Sequence, residues 1–537
     1  MFYNLSRLLK ILKISGIKSI PLLFILAFIN AFFDLLSLGI LLPFVTLVIE
    51  PEFYLTIQKT LKNQNFLNFS YFLNLNQKEF ILNLTFIAII LFIFKFLMNL
   101  FYIWYLNSKR VVYESLISTK LLKNISNSEN FSILKFSSSE LIHSITHRLA
   151  MVTAAIVSLT NLMVELIVLA FIFLFLIIKF PTEAVFFLIL VSFLLITFYF
   201  LYRKMIVKWS NERGVAGDLR TKNLVEFFLG FREILINFVQ KSFISNFKKV
   251  NNKYLSPQKK LLIFNSLPKI ILEMLLSLTF LIIVFYFIFN DYDTKNMLLS
   301  ASITLIVCFR IFPSLNRIIF NTNQFKYSAE PIQNISNILI KTEKKSEKKD
   351  PILFKKEISV NKLDFSFETK NSLIENLELK INKGDKIAII GDTGSGKTTI
   401  ADILTGLIKP DKGNIIVDKK ELQNFDFNSW LKKISYVSQK IFIFNSSIRE
   451  NITLTKDHEK IDEKKFLEVL KFCYLSDFVN SKQKKELFQV GEFGSNLSGG
   501  QKQKIGLARV LYKDSDILIF DESTNALDEN SEKEIIS

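Results

Sequence analysis

The 537-residue sequence predicts two fold classes in one chain: a helical membrane domain of six spans, then an α/β domain built around a phosphate-binding P-loop. Three observations carry this. Apolar runs long enough to cross about 30 Å of hydrocarbon recur six times before residue 325. Glycine is distributed unevenly: of 16, only Gly16, Gly39, Gly214, Gly217 and Gly230 precede Lys383. A nearly glycine-free helical half is therefore followed by a turn-rich one. Finally, Gly391-Asp392-Thr393-Gly394-Ser395-Gly396-Lys397-Thr398 fits G-x-x-x-x-G-K-[ST].

The six spans fall at 20–49, 80–106, 151–178, 182–202, 264–289 and 297–320. Each reads as a helix, because hydrocarbon forces a segment to satisfy its own backbone polar groups. Lysine and arginine crowd alternate connections. Arg7, Lys10, Lys13 and Lys18 precede the first span, Lys109, Arg110, Lys120, Lys123, Lys135 and Arg148 follow the second, and Arg203, Lys204, Lys208, Arg213, Arg220, Lys222 and Arg232 follow the fourth. The other connections carry few: Lys59, Lys62 and Lys78, then Lys179, then Lys295. The positive-inside rule thus predicts that both termini are cytoplasmic. The two basic loops keep a helical apolar rhythm, so the membrane helices are expected to run on past the bilayer. The net charge of +18 in a chain that is 50% hydrophobic points to an anionic membrane surface and not to nucleic acid. Cys308 and Cys473 fall in different halves, which leaves no disulfide framework and no metal cluster. The predicted domains are 1–325 in the membrane, a linker at 326–356 that includes the charged run 341–349, and an α/β domain at 357–537.

The P-loop lies between an expected buried strand, Lys386–Ile390, and an expected helix from Thr399. Its glycines allow backbone N–H groups to close on phosphate oxygens, and the helix N-terminus adds a favourable dipole. Gly391, Thr393, Gly394, Ser395, Gly396 and Thr399 frame the phosphates, Lys397 reaches the β- and γ-phosphates, and Thr398 offers its hydroxyl to Mg²⁺. Further on come Tyr436-Val437-Ser438-Gln439, Asn496-Leu497-Ser498-Gly499-Gly500-Gln501, the apolar run Asp516–Phe520 capped by Asp521-Glu522, and Asn525-Ala526-Leu527-Asp528. In this order and spacing, residues 357–537 closely resemble the ATP-binding cassette (ABC) family. Six spans fused ahead of one cassette, with Val490-Gly491-Glu492-Phe493-Gly494 before the signature, resemble its exporters.

The resemblance implies ATP and Mg²⁺ as cofactors. Asp521 and Gln439 would join Thr398 at the metal, and Glu522, helped by Gln439, would activate the attacking water. Ser498, Gly499, Gly500, Gln501 and Asp528 would serve the ATP held mainly by a second copy, so that a homodimer sandwiches two nucleotides. Phe367 stands where the family stacks an aromatic on adenine; ordinary strand core is the alternative reading. The family also carries a switch histidine on a strand beyond the Asp528 position, whereas His143, His147 and His458 all lie upstream. The gene is therefore expected to continue past Ser537, and the chain as it stands is expected to bind nucleotide but hydrolyse it poorly.

Within the exporters, Asp34–Phe44, Glu226–Glu233 and Arg310–Arg317 resemble the lipid-linked oligosaccharide flippases of bacterial N-glycosylation, multi-pass proteins of the inner membrane. The cargo implied is an amphiphile, in the first instance a lipid-linked glycan; another lipid, a peptide or a drug is the alternative. A membrane-bound regulator that binds ATP without hydrolysis is a further reading. Ionisable residues at membrane depth mark candidate substrate paths. Asp34 and Lys95 both sit near the middle of their spans and are expected to pair, for structure or for cargo. Arg310 and Arg317 could fork onto a diphosphate or serve packing alone. Glu165 and Glu273 are expected to face the interior.

Overall fold

The computed structural model describes residues 2–49, 54–55, 76–126, 136–179, 181–289, 294–342, 350–366, 372–422 and 425–521. The chain divides into two compact units, residues 1–128 with 132–343, and residues 129–131 with 344–537.

In the first unit every expected span lies inside a long helix. After a short amphipathic helix α1 (Phe2–Ile14) come α2 (Ile20–Ile49), α3 (Gln77–Ser126), α4 (Ser138–His143), α5 (Leu149–Lys179) and α6 (Pro181–Leu229). They are followed by α7 (Phe231–Ile236), α8 (Gln240–Phe289), α9 (Thr294–Tyr327) and α10 (Ala329–Thr342). Among the described residues, Gln77–Ser126 and the continuous run Ser138–Leu174 are long and apolar enough to cross a membrane by length and composition. At 1.5 Å per residue the 50 residues of α3 and of α8 extend about 75 Å, far beyond the hydrocarbon thickness. The helical rhythm of the basic loops is thus realised as helices that continue past the spans.

The expected linker 326–356 is shorter than the charge pattern suggested. Ile332, Ile335, Ile338 and Leu339 of α10 are buried in the core of the first unit, where α1 packs Leu8, Ile11 and Leu12. At the other end Ile352 and Phe354 are buried in the second unit. Apolar burial on both sides confines any linker to residues 343–349, outside the described residues.

A buried ionic network ties α4, α5, α6 and α10 together. A π-helical turn at Ser144–Arg148 joins α4 to α5 and carries Arg148, whose side chain is almost fully buried. Arg148 Nη1 and Nη2 donate to Asp218 at 2.6 and 2.8 Å, and Nε donates to Glu330 Oε1 at 2.9 Å. His143 Nδ1 lies 3.0 Å from Asp218 Oδ1. Ser144 donates to Asn334, and Asn334 donates to Glu140. Two glycines of α6 make room for this. A Cβ on Gly217 would stand 2.1 Å from the His143 ring, and one on Gly214 would stand 2.3 Å from the Glu330 carboxylate.

In the second unit β1 (Glu357–Ser366), β2 (Ser372–Asn382), β3 (Lys412–Val417) and β4 (Lys420–Glu421) form an antiparallel sheet in the order β2-β1-β3-β4. A separate parallel pair joins β5 (Ile434–Val437) to β6 (Ile517–Phe520), with Tyr436 opposite Ile519. Between them lie α11 (Lys397–Leu404) and α12 (Phe427–Lys432), whose buried Trp430 donates its indole N–H to the Leu404 carbonyl at 3.2 Å. A helical lobe of α13 (Ile448–Thr453), α14 (Glu463–Phe472), α15 (Ser476–Asn480) and α16 (Gly499–Lys513) packs around Ile448, Phe466, Leu475, Val490 and Ile505.

The buried strand expected at Lys386–Ile390 is not formed. These residues are extended without sheet pairing, and Ile390 is 91% exposed. They face β6 across a cavity of about 460 Å³, lined by Ile387 and Ile389 on one side and by Ile517 and Ile519 on the other. A strand exists through its neighbours' hydrogen bonds. No described segment fills this gap, so an apolar run alone does not make a strand here.

The buried network yields a stability prediction. Replacing Arg148 with Met should strand Asp218 and Glu330 without their cation and lower stability by about 3–5 kcal/mol. Thermal unfolding in nanodiscs measures this, and a change below 1 kcal/mol would remove the network from the account of this fold.

Candidate functional site

The P-loop turns sharply out of Ile390 and ends in α11. Gly394 and Gly396 adopt φ of +88° and +91°, a left-handed conformation costly for residues with a Cβ. Gly396 caps α11, so the first N–H groups of that helix are left for an outside acceptor. Lys397 Nζ folds back over the loop and donates to the carbonyls of Gly391 at 2.8 Å and Asp392 at 3.0 Å. A cation on a long side chain beside open N–H groups suits a polyphosphate. The residues present therefore fit ATP.

They fit Mg²⁺ as well. Thr398 Oγ1 lies 3.2 and 3.0 Å from the two oxygens of Asp521, bringing together residues 123 apart in sequence. Asp521 is anchored by its own N–H, which donates to the Val437 carbonyl at 3.0 Å. A hydroxyl and a carboxylate side by side are the hard oxygen donors that Mg²⁺ takes, usually together with substrate phosphates. Sequence reasoning missed two neighbours. Tyr436 donates its hydroxyl to Asp521 Oδ2 at 3.1 Å. Asp402, one turn after Thr398 on α11, has its proton affinity raised by burial and then by the charge of Asp521. The signal for Tyr436 was available: a tyrosine in an otherwise apolar strand needs a partner for its hydroxyl.

Gln439 lies exposed two residues beyond the end of β5. Thr399 is buried within α11. Ser498 caps α16 with a capping box: its hydroxyl accepts from Gln501 N at 3.2 Å, and Gln501 Oε1 accepts from Ser498 N at 2.9 Å. Gly499 and Gly500 open the same helix. The signature is thus a pre-formed helix N-terminus on its own element. Before it, Gly491 and Gly494 take φ of +77° and +68°, and Phe493 is left 47% exposed. Phe367, Glu522 and Asp528 lie outside the described residues.

The candidate substrate-path residues of the first unit meet in one cavity of about 480 Å³. Its lining follows helical spacing: Asn30 and Asp34 on α2, Lys95, Asn99 and Tyr102 on α3, Asn161 and Glu165 on α5, and Arg310, Arg317 and Asn321 on α9. Asp34 Oδ1 pairs with Lys95 Nζ at 2.9 Å, and Asp34 Oδ2 lies 2.7 Å from Arg310 Nη2. The second contact is an ion pair without aligned hydrogen-bond geometry, and Arg310 Nε is buried with no hydrogen-bond partner. Arg317 pairs with Glu165 through Nε, and Nη2 donates to Glu165 Oε2 at 3.2 Å. Tyr102 donates to Asn161 at 3.0 Å. Arg310 and Arg317, which could fork onto a diphosphate or serve packing alone, are each engaged by a carboxylate. Among the described lining residues, three cations face two carboxylates. Glu273 departs from expectation: its side chain is 66% exposed and pairs only loosely with Lys269, at 3.7 Å.

Asp34 holds two cations, which sets an order among variants. Asp34→Asn should cost about 3–5 kcal/mol by stranding Lys95 and Arg310, and Lys95→Met should cost less because Arg310 remains. Adding Asp34→Asn to Lys95→Met should cost less than Asp34→Asn alone. Thermal unfolding of the three variants checks the order, and strictly additive losses would rule out the shared pairing.

Comparison with known proteins agrees with this geometry. Residues 374–525 match the family model described as ABC transporter. The heterocyst differentiation ATP-binding protein HepA of Nostoc sp. is 31% identical over 313 residues, covering 58% of this chain and 51% of that protein. The ATP-dependent lipid A-core flippase of Escherichia coli is 29% identical over 331 residues, covering 61% and 56%. The chain thus spans about half the length of the curated relatives it matches. The solved structure of a bacterial Atm1-family ABC exporter with ATP bound superposes with a TM-score of 0.74 over 95% of this chain and 87% of that one, at 18% identity. The chain therefore carries an ABC transporter domain over residues 374–525 and has the fold of an ABC exporter, a helical domain ahead of one ATP-binding cassette.

Proposed function

We propose that two copies of this chain use ATP hydrolysis to move a lipid-linked oligosaccharide across the bacterial cytoplasmic membrane, with both termini on the cytoplasmic side. The observation that carries the cargo reading is the polar cavity of the helical unit. Among its described lining residues cations outnumber carboxylates by three to two, Arg310 Nε is buried without a described hydrogen-bond partner, and amides of Asn30, Asn99, Asn161 and Asn321 stand around it. A phosphate-linked sugar offers an anion for the first and hydroxyls for the second. The likeness to a lipid A-core flippase favours a lipid-anchored cargo in general, and another anionic lipid is the second reading.

In the cassette, Lys397 would leave the loop carbonyls for the β- and γ-phosphates, and the N–H groups of α11 would receive the phosphate oxygens. Bound Mg²⁺ would supply charge neutralisation on those oxygens. Thr398 and Asp521 would hold it, with Gln439 beside them. Glu522 would orient the attacking water and take its proton. Ser498 and the N-terminus of α16 would meet the γ-phosphate of the nucleotide held by the other copy, Asp528 would cross the same interface, and Phe367 would stack on adenine.

Two measurements test this. Glu522→Gln should keep ATP affinity within about threefold while lowering turnover by at least a hundredfold, in the range typical of a lost general base. Near wild-type turnover would remove Glu522 from the mechanism. For the cargo, ATPase rates of the purified protein in nanodiscs should rise with lipid-linked sugars bearing a phosphate or diphosphate, and not with the free sugar or with a neutral glycolipid. Equal stimulation by neutral and anionic lipids would overturn the cargo reading and leave the exporter reading standing.

A further inference from the structure

The Tyr436 hydroxyl has no role in the scheme above, yet it is aimed at the carboxylate on which metal binding would depend. Tyr436 lies on β5, paired in parallel register with Ile519 of β6, and Asp521 leaves β6 two residues later with its N–H on the Val437 carbonyl. The two strands therefore fix both backbones, and the phenol reaches Asp521 Oδ2 at 3.1 Å. Thr398 approaches the same carboxylate from the P-loop helix, at 3.0 and 3.2 Å. A phenol is protonated at neutral pH and a carboxylate only accepts, so the hydroxyl acts as donor.

We propose that Tyr436 is a positioning residue for the Mg²⁺ site: its hydroxyl holds the Asp521 carboxylate in one orientation. The inference rests on the reading of Asp521 as a metal carboxylate. Its physical basis is geometric: the carboxylate meets hydroxyls from two separate elements, Thr398 on α11 and Tyr436 on β5, which together restrict its rotation. Thr398 cannot serve the purpose alone, because its hydroxyl oxygen is itself the group offered to the metal. Tyr436 has no such second duty, and its ring, half-buried on the strand, has little rotational freedom.

The test is the Mg²⁺ dependence of nucleotide binding, read with a fluorescent ATP analogue on the full-length protein in nanodiscs, in EDTA and across a Mg²⁺ titration. Tyr436→Phe keeps the ring and removes the hydroxyl. Its affinity in EDTA should stay within about twofold of wild type, and the Mg²⁺ concentration for half-maximal enhancement should rise about tenfold, as expected for loss of a hydrogen bond to a charged group. Asp521→Asn should abolish the enhancement, and adding Tyr436→Phe to it should change nothing further. Wild-type Mg²⁺ dependence in Tyr436→Phe, or an equal loss of affinity with and without Mg²⁺, would overturn the inference and assign the residue to sheet packing. Full Mg²⁺ dependence in Asp521→Asn would instead overturn the underlying reading of Asp521. Should Tyr436→Phe not fold, Tyr436→Gln, which retains a donor on a flexible stem, decides: a retained Mg²⁺ response supports the role and a lost one rejects it.

Discussion

An ion taken out of water must find its countercharge within reach, and that constraint organises the helical unit of this chain. Leaving a charge unpaired inside a helical bundle costs several kcal/mol, a large fraction of the stability of any domain. Arg148 is almost fully buried and is met by Asp218 and Glu330 from two other helices. Asp34 is met by Lys95 and Arg310, and Glu165 by Arg317. Each group joins helices remote in sequence, so the arrangement of the bundle follows from which charges must meet. Apolar surface facing lipid and apolar surface facing a neighbouring helix differ little in free energy, so apolar burial is nearly indifferent to helix rotation. Ionic pairs are not, because a rotated helix would strand them.

Backbone groups impose the second constraint, and the two units meet it differently. A helix satisfies its own N–H and C=O groups, so the six long helices need no partner to exist. A strand does need one. β5 and β6 pair with each other, and β1 with β2 and β3, while the apolar segment 386–390 lies extended beside an open cavity. The P-loop that follows is nonetheless in place. Its geometry comes from left-handed glycines, the start of α11 and the Thr398–Asp521 contact rather than from the strand before it.

This difference explains what could be read from the sequence. The six helices were legible because length and hydropathy alone decide them, and the P-loop, β6 and the start of α16 because motif spacing does. The pairing of Asp34 with Lys95 was legible from depth within the spans. The engagement of Arg310 by the same carboxylate was not, since it depends on how α9 turns against α2. The linker was overestimated because charge at 341–349 hides the amphipathic stripe Ile332, Ile335, Ile338 and Leu339 just before it. The amides in the cavity were missed although each stands four residues from a charged lining residue on its own helix, because each asparagine is unremarkable alone. Tyr436 was passed over as a strand residue. Its hydroxyl matters only once β5 and β6 are known to be neighbours.

The two carboxylates at the centre of these sites, Asp34 and Asp521, are held in opposite ways, and the contrast bears on what each site accepts. The described partners of Asp34 include two cations, so its charge is spent within the protein, and among the described residues the cavity around it has more cations than carboxylates. Such a site receives an anion. The described side-chain partners of Asp521 are two hydroxyls, which orient the carboxylate without neutralising it. Its negative charge stays available, and Asp402 nearby adds to the same field. Such a site receives a cation. A lysine in place of Tyr436 would satisfy hydrogen bonding as well and would remove the field that draws a divalent ion. The choice between a cationic and a neutral donor therefore separates a carboxylate that builds structure from one that remains available for binding.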